Sequence, residues 1–89
     1  MARMMVIGRG GAIDIDRVIA LMPARSAPVK RLLAQVPQQV INMTYGYPRR
    51  SVILLDNGYF VLTSLTVAQL VNELKIEERA TNVEDPISW

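Results

Sequence analysis

Residues 44–64 read "TYGYPRRSVILLDNGYFVLTS": an aromatic, proline and arginine cluster running into two apolar segments on either side of Asp56-Asn57-Gly58. Asn-Gly between β-branched and aromatic residues is a strong signal for a two-residue type I′ hairpin, because both central residues of that turn need positive φ. Such a turn sets Leu55 opposite Phe60, Ile53 opposite Leu62 and Val52 opposite Thr63. One face of the hairpin then carries Ile53, Leu55, Phe60 and Leu62, and the other Val52, Leu54 and Val61. Neither is a water face, so both need cover. Arg49 and Arg50 stand at the mouth of this hairpin, behind Pro48 and beside Tyr45 and Tyr47.

N-terminal to it, "RMMVIG" is a short β-branched run closed by glycines at 8, 10 and 11, which predicts a strand and a turn. "AIDIDR" alternates Ile13 and Ile15 with Asp14 and Asp16, the pattern of a strand with one apolar face. "VIALMP" reads as a buried strand stopped by Pro23. "SAPVKRLLAQVP" predicts a helix, with Ser26 placed to cap, Pro28 in the first turn and Pro37 at the end. Its apolar stripe is Val29, Leu32, Leu33 and Val36, which turns Lys30, Arg31 and Gln35 outward. "VINMTYG" predicts a further strand.

C-terminal to the hairpin, "LTVAQLVNELK" is a second helix with a complete start signal. Thr66 caps, Gln69 closes a capping box, and Leu65 can staple to Leu70. The fold class is therefore α+β: a small antiparallel sheet of four to five strands with two short helices. If both helices cover one sheet face, the second face is left for a neighbouring subunit, and a cyclic oligomer is expected. The domain is expected over residues 1–76, with 77–89 an acidic, mobile tail.

Composition narrows the function. Half of the 89 residues are apolar (51%) and a fifth charged (20%), a large apolar share for so small a domain and a second reason to expect an oligomer. The absence of cysteine and histidine removes disulfides, thiol chemistry, imidazole triads and the usual zinc ligands. No cofactor and no enzymatic activity are expected. No apolar stretch approaches the ~20 residues needed to span a bilayer, and no signal peptide is evident, so a cytoplasmic protein without a membrane partner is expected. Charge is uneven. Residues 1–55 hold eight basic residues against two acidic, and residues 56–89 hold two basic against six acidic.

Three features invite a chemical reading. "GRGG" at 8–11 lacks the remainder of either a dinucleotide fingerprint or a P-loop, and a strand follows it, so it reads as a turn. Asp14 and Asp16 can hold a hydrated cation or act as a carboxylate pair, but a half-exposed strand balanced by Arg17 accounts for them as well. Arg49 and Arg50 are the sharpest feature, since guanidinium forks on a stiff loop match phosphate oxygens. A solvated turn or an ion-paired one is the plain alternative.

The ordered series of a strand closed by Gly-x-Gly, an arginine before "VIAL", "SAPVKR", "TYG" and "RSVILLDNGYFVLTS" followed by "TVAQLV" resembles the RemA-like family of small bacterial extracellular-matrix regulatory proteins. The resemblance covers roughly residues 4–75. It implies nucleoid-associated transcriptional regulators that form closed rings and contact duplex DNA through arginines. By position the DNA-binding set is Arg17, Arg49 and Arg50, joined by Arg9 at the first turn and by Lys30 and Arg31 on the first helix. The family usually has arginine directly after the Thr-Tyr-Gly glycine, where this chain has Tyr47-Pro48. Arg9 stands where the family tends to have an aromatic residue, and Gly11 where it has asparagine. The rival functions are an oligomeric scaffold without nucleic-acid binding, and an RNA binder in which Tyr45 and Tyr47 stack on bases.

Overall fold

The computed structural model describes the backbone of residues 3–8 and 10–81, and the side chains of these as far as residue 75. Strands β1 (Met4–Val6) and β2 (Ala12–Asp14) form a separate two-stranded hairpin. A 3₁₀ turn (Ile15–Arg17) leads into β3 (Val18–Pro23), then helix α1 (Ala27–Gln35), a second 3₁₀ turn (Pro37–Gln39) and β4 (Val40–Asn42). β5 (Ser51–Leu55), β6 (Phe60–Thr63) and helix α2 (Val67–Thr81) complete the chain. The main sheet has the order β3-β5-β6-β4. The α+β class holds, with two changes: the strands are divided between two sheets, and the larger one is mixed. β4 runs parallel to β6, because the 51–55 strand must first cross the sheet antiparallel before β6 can lie beside β4.

The central hairpin forms with a register one residue from the expected one: Leu54 pairs with Phe60, Ile53 with Val61 and Val52 with Leu62. The cause lies in the turn. Only Gly58 has positive φ (+87°), while Asn57 does not. Leu55 N–H donates to Tyr59 O at 2.9 Å and Gly58 N–H to Leu55 O at 3.0 Å, so the loop holds Asp56, Asn57 and Gly58 and closes as a type I turn with a glycine bulge. Asn57 supports this alternative with its side chain, whose Oδ1 accepts from Tyr59 N–H at 3.0 Å.

The one-residue slip redistributes the core. Ile53 and Val61 now share a face with Met5, Ile7, Ile13 and Leu70, so the β1–β2 hairpin and α2 cover that side together. Val52, Phe60 and Leu62 turn the other way, against Ala24, in the turn after β3, and Val29 of α1. The two helices therefore cover opposite faces instead of one. Each fully buried aliphatic side chain contributes about 1.5–3 kcal/mol, and a chain this short uses its central strands twice. An uncovered sheet face thus ceases to be a reason for assembly. Exposed apolar side chains lie instead on the outside of β1 (Met4, Val6) and on the two sheet edges (Ile19 of β3 and Ile41 of β4).

Local signals are met at α2. Gln69 N–H donates to Thr66 Oγ1 (3.1 Å) and Thr66 N–H to Gln69 Oε1 (2.8 Å), a closed capping box. Ser26 precedes α1 without a side-chain cap bond, and Pro28 occupies the first turn. α2 continues past the expected boundary at residue 76 to Thr81, and the end of the expected tail, residues 82–89, lies outside the described residues.

The 12–17 segment departs from a continuous strand. β2 stops at Asp14, whose Oδ1 accepts from Asp16 N–H at 3.0 Å and opens the 3₁₀ turn. Aspartate competes in this way with strand pairing wherever its side chain can reach the amide two residues on.

Candidate functional site

The loop between β4 and β5 determines where the arginines stand. Asn42 at the end of β4 accepts from both the Thr44 N–H (3.0 Å) and the Thr44 hydroxyl (2.7 Å), and Thr44 is buried. Tyr47 N–H then donates to Thr44 O at 3.1 Å, closing a four-residue turn. Its central residues, Tyr45 (φ +52°) and Gly46 (φ +89°), are both left-handed. Positive φ at a tyrosine is rare and costly, and must be held by its surroundings. Here the ring of Tyr45 lies over the first glycine turn: a Cβ on Gly11 would come within 3.3 Å of it and within 3.1 Å of the Met43 side chain. Gly10 and Gly11 of "GRGG" thus serve as a seat for an aromatic side chain, a role sequence reading missed. "Thr-Tyr-Gly" beside a glycine pair was the available signal.

From this turn the chain enters β5. Arg50 N–H donates to Thr63 O at 2.9 Å and Ala24 N–H to Arg50 O at 3.0 Å, so Arg50 is fixed between two neighbouring segments while its side chain is exposed. Arg49 is exposed as well. Among the described residues no carboxylate pairs with either.

Arg17 stands elsewhere. β3 and β5 are antiparallel with Val18 opposite Leu55 and Pro23 opposite Ser51, so Arg17 lies at the far end of the sheet, where its carbonyl accepts from Asp56 N–H at 2.8 Å. The intervening strand separates it from Arg50 by about 20 Å, at ~3.3 Å per residue. Its guanidinium approaches Asp56 (Nη1–Oδ1, 3.4 Å) and Asp14 (Nε–Oδ2, 3.9 Å), although the side chain is 60% exposed. Asp16 is held by Arg3 at 2.5 Å, and this hydrogen bond lowers its pKa from the usual 3.8. The Asp14/Asp16 pair is thereby committed to local structure. Among the described residues no group of three acidic, histidine or cysteine side chains is arranged to hold a metal ion.

Of the remaining basic residues, Lys30 and Arg31 are exposed on α1. Arg9 lies outside the described residues. Lys30, Arg25 and Arg49 surround a cleft of about 640 Å³ between α1 and the β4–β6 side of the sheet, floored by Leu33, Pro37 and Leu62. Among the described residues, one subunit therefore gathers Arg25, Lys30 and Arg49 around a cleft on the α1 side, and places Arg17 at the other end of β5, beside the Arg3–Asp16 pair. No helix among the described residues is long and apolar enough to cross a membrane.

Residues 4–74 match the RemA-like family, described as extracellular matrix regulatory protein A-like. The chain belongs to this family. Individual relatives span nearly its whole length. A protein of Trichormus variabilis, named "Putative regulatory protein", is 32% identical over 89% of this chain and 92% of its own. A protein of Desulfitobacterium hafniense that bears the same description is 29% identical over 90% of each chain. A third, from a Synechococcus strain, is 33% identical over 79% of this chain and 81% of its own. The matched region includes the Tyr45 turn, the arginine loop and the central hairpin.

Proposed function

We propose that this RemA-like protein is a transcriptional regulator that binds duplex DNA by phosphate contacts from Arg17, Arg49 and Arg50, repeated around a cyclic homo-oligomer. The regulatory part follows the names of its relatives. The observation that carries the DNA reading is the state of Arg49 and Arg50: two adjacent exposed guanidinium groups without a carboxylate partner among the described residues, with the backbone of Arg50 fixed by Thr63 and Ala24. Unpaired forks give up no ion pair on engaging phosphate, and phosphate contacts position a protein on a duplex without reading base edges.

The two-ended arrangement supports head-to-tail assembly. Arg17 and Arg49/Arg50 are some 20 Å apart within a subunit, at opposite ends of β5. A heterologous contact that brings the Arg17 end of one subunit to the Arg50 end of the next unites them at each junction, and such contacts form a ring when the rotation between subunits closes. Met4, Val6, Ile19 and Ile41 supply exposed apolar area for these contacts. Repetition matters because two or three phosphate contacts bind weakly, whereas linked sites add about 10²–10⁴ in avidity.

The test is competition among duplex DNA, single-stranded RNA and heparin for the purified protein, with its mass measured by light scattering. A mass well above 10 kDa and a preference for duplex support the proposal. Binding that does not distinguish the three polyanions overturns specific duplex recognition. A ring that binds none of them at low salt leaves a scaffold, and preference for single strands moves the function to RNA.

A further inference from the structure

We propose that the cleft between α1 and the β4–β6 side of the sheet is a binding site for a small anion with a flat apolar body, of the nucleoside phosphate class, and that its occupant competes with DNA for Arg49. The cleft lies apart from the Arg17 end of the sheet. Its volume, about 640 Å³, falls within the ~300–1,000 Å³ of small-molecule pockets. A bare inorganic anion would leave most of it unfilled.

Two features set the ligand class. The lining includes Arg25, Lys30 and Arg49 and no acidic residue, so three cations share one cleft with nothing opposite in charge among the residues that line it. Among the described residues none of the three has an ion-pair partner. A dianion relieves their mutual repulsion, and guanidinium forks match phosphate oxygens in pairs. The floor, in contrast, is apolar. Leu62 is buried, Leu33 is half-buried in the same core cluster, and Pro37 lies beside them. A lining that joins two arginines to an apolar floor favours a flat ring over a flexible chain, since arginine stacks on planar faces. Cations and an apolar floor in one cleft describe a phosphate attached to an aromatic base.

Arg49 belongs both to this lining and to the arginine pair assigned to DNA. A ligand that engages it in the cleft lowers affinity for the duplex, and the duplex lowers affinity for the ligand by the same factor. This coupling rests on the DNA-binding reading; occupancy of the cleft does not.

The experiment uses AMP carrying an N-methylanthraniloyl fluorophore as the probe, titrated with the full chain and displaced by unlabelled AMP, adenosine or inorganic phosphate. Saturable binding displaced by AMP, but by neither adenosine nor phosphate at equal concentration, is expected. Lys30→Glu and Ala34→Glu, both at exposed helix positions lining the cleft, should each weaken the probe by about tenfold or more, the scale of one charge-assisted contact, with melting temperature unchanged. Arg31→Glu makes the same change in net charge on the same helix outside the cleft lining, and should leave binding unaltered. If Arg31→Glu weakens the probe as much as Lys30→Glu, if phosphate displaces it as well as AMP does, or if no probe binds at millimolar concentration, the site is refuted. AMP should also weaken duplex binding. If both ligands bind independently, Arg49 is not shared; if no duplex binds at all, the DNA reading fails while the probe titration still decides the cleft.

Discussion

Tyr45 offers a test in which the usual order of two substitutions is inverted. Its φ of +52° places a bulky residue in the left-handed region, which costs an L-residue about 1–2 kcal/mol. The ring offsets this by packing over the Gly10–Gly11 turn while remaining 54% exposed. A tyrosine side chain that buries about half of its ~200 Å² removes about 100 Å² from water, or about 2.5 kcal/mol at ~25 cal/mol/Å². Tyr45→Ala forfeits the ring and keeps the left-handed cost, so it should destabilise by about 2 kcal/mol. Tyr45→Gly forfeits the ring but removes that cost. Glycine gains about 0.4–1 kcal/mol of unfolded-state entropy relative to alanine, which returns part of the benefit. The net expectation is a glycine variant about 0.5–1 kcal/mol more stable than the alanine variant, the opposite of their order at ordinary positions. Urea unfolding followed by far-ultraviolet circular dichroism, at one fixed protomer concentration, measures both. An alanine variant as stable as the glycine variant, at equal m, refutes the account of this turn.

Three further outcomes follow from single contacts. Thr66→Ala removes the hydroxyl that caps α2 and should cost about 1 kcal/mol in the same unfolding assay. Ser51 is fully buried and its hydroxyl has no partner among the described residues, so Ser51→Ala should be neutral or stabilising, and a loss above about 1 kcal/mol would reveal a bond to the hydroxyl. The Arg3 hydrogen bond holds the Asp16 carboxyl below 3.8, so its contribution is fully present above that pH and is lost as pH falls through the lowered value. Asp16→Asn should therefore reduce the acid dependence of stability below about pH 4, as read from melting temperature against pH, and leave the slope above pH 5 unchanged.

What could be read from the sequence was mostly local. The capping box of α2 depends on Thr66 and Gln69 alone and formed as expected. The hairpin at 51–63 was also legible, but its register was not. Asn57-Gly58 suits both a type I′ turn and a type I turn with a glycine bulge, and the backbone of Asn57 decides between them. That one choice moved Phe60 and Leu62 to the side of α1 and Val61 to the side of α2. The parallel pairing of β4 with β6 was illegible for another reason: a three-residue strand carries too little pattern to name a distant partner. The arginines show the same division. Exposure of Arg17, Arg49 and Arg50 followed from their setting, whereas the sheet length between them is a property of the β3–β5 register. Sequence also could not foresee that Lys30 and Arg49, far apart in the chain, would border one cleft with Arg25.

The central claim, that these arginines bind duplex DNA repeatedly around an assembly, is tested most directly by the salt dependence of duplex affinity for the parent chain and for the Arg17→Ala, Arg49→Ala, Arg50→Ala triple variant. Each phosphate contact adds about 0.9 to the magnitude of the slope of log K against log salt, so three arginines of one subunit supply at most about 2.7. The parent should exceed that value, because several subunits engage one duplex, and the triple variant should bind very poorly while retaining its mass and melting temperature. A parent slope at or below about 2.7, or a triple variant that keeps the parent's slope and affinity, would contradict the claim.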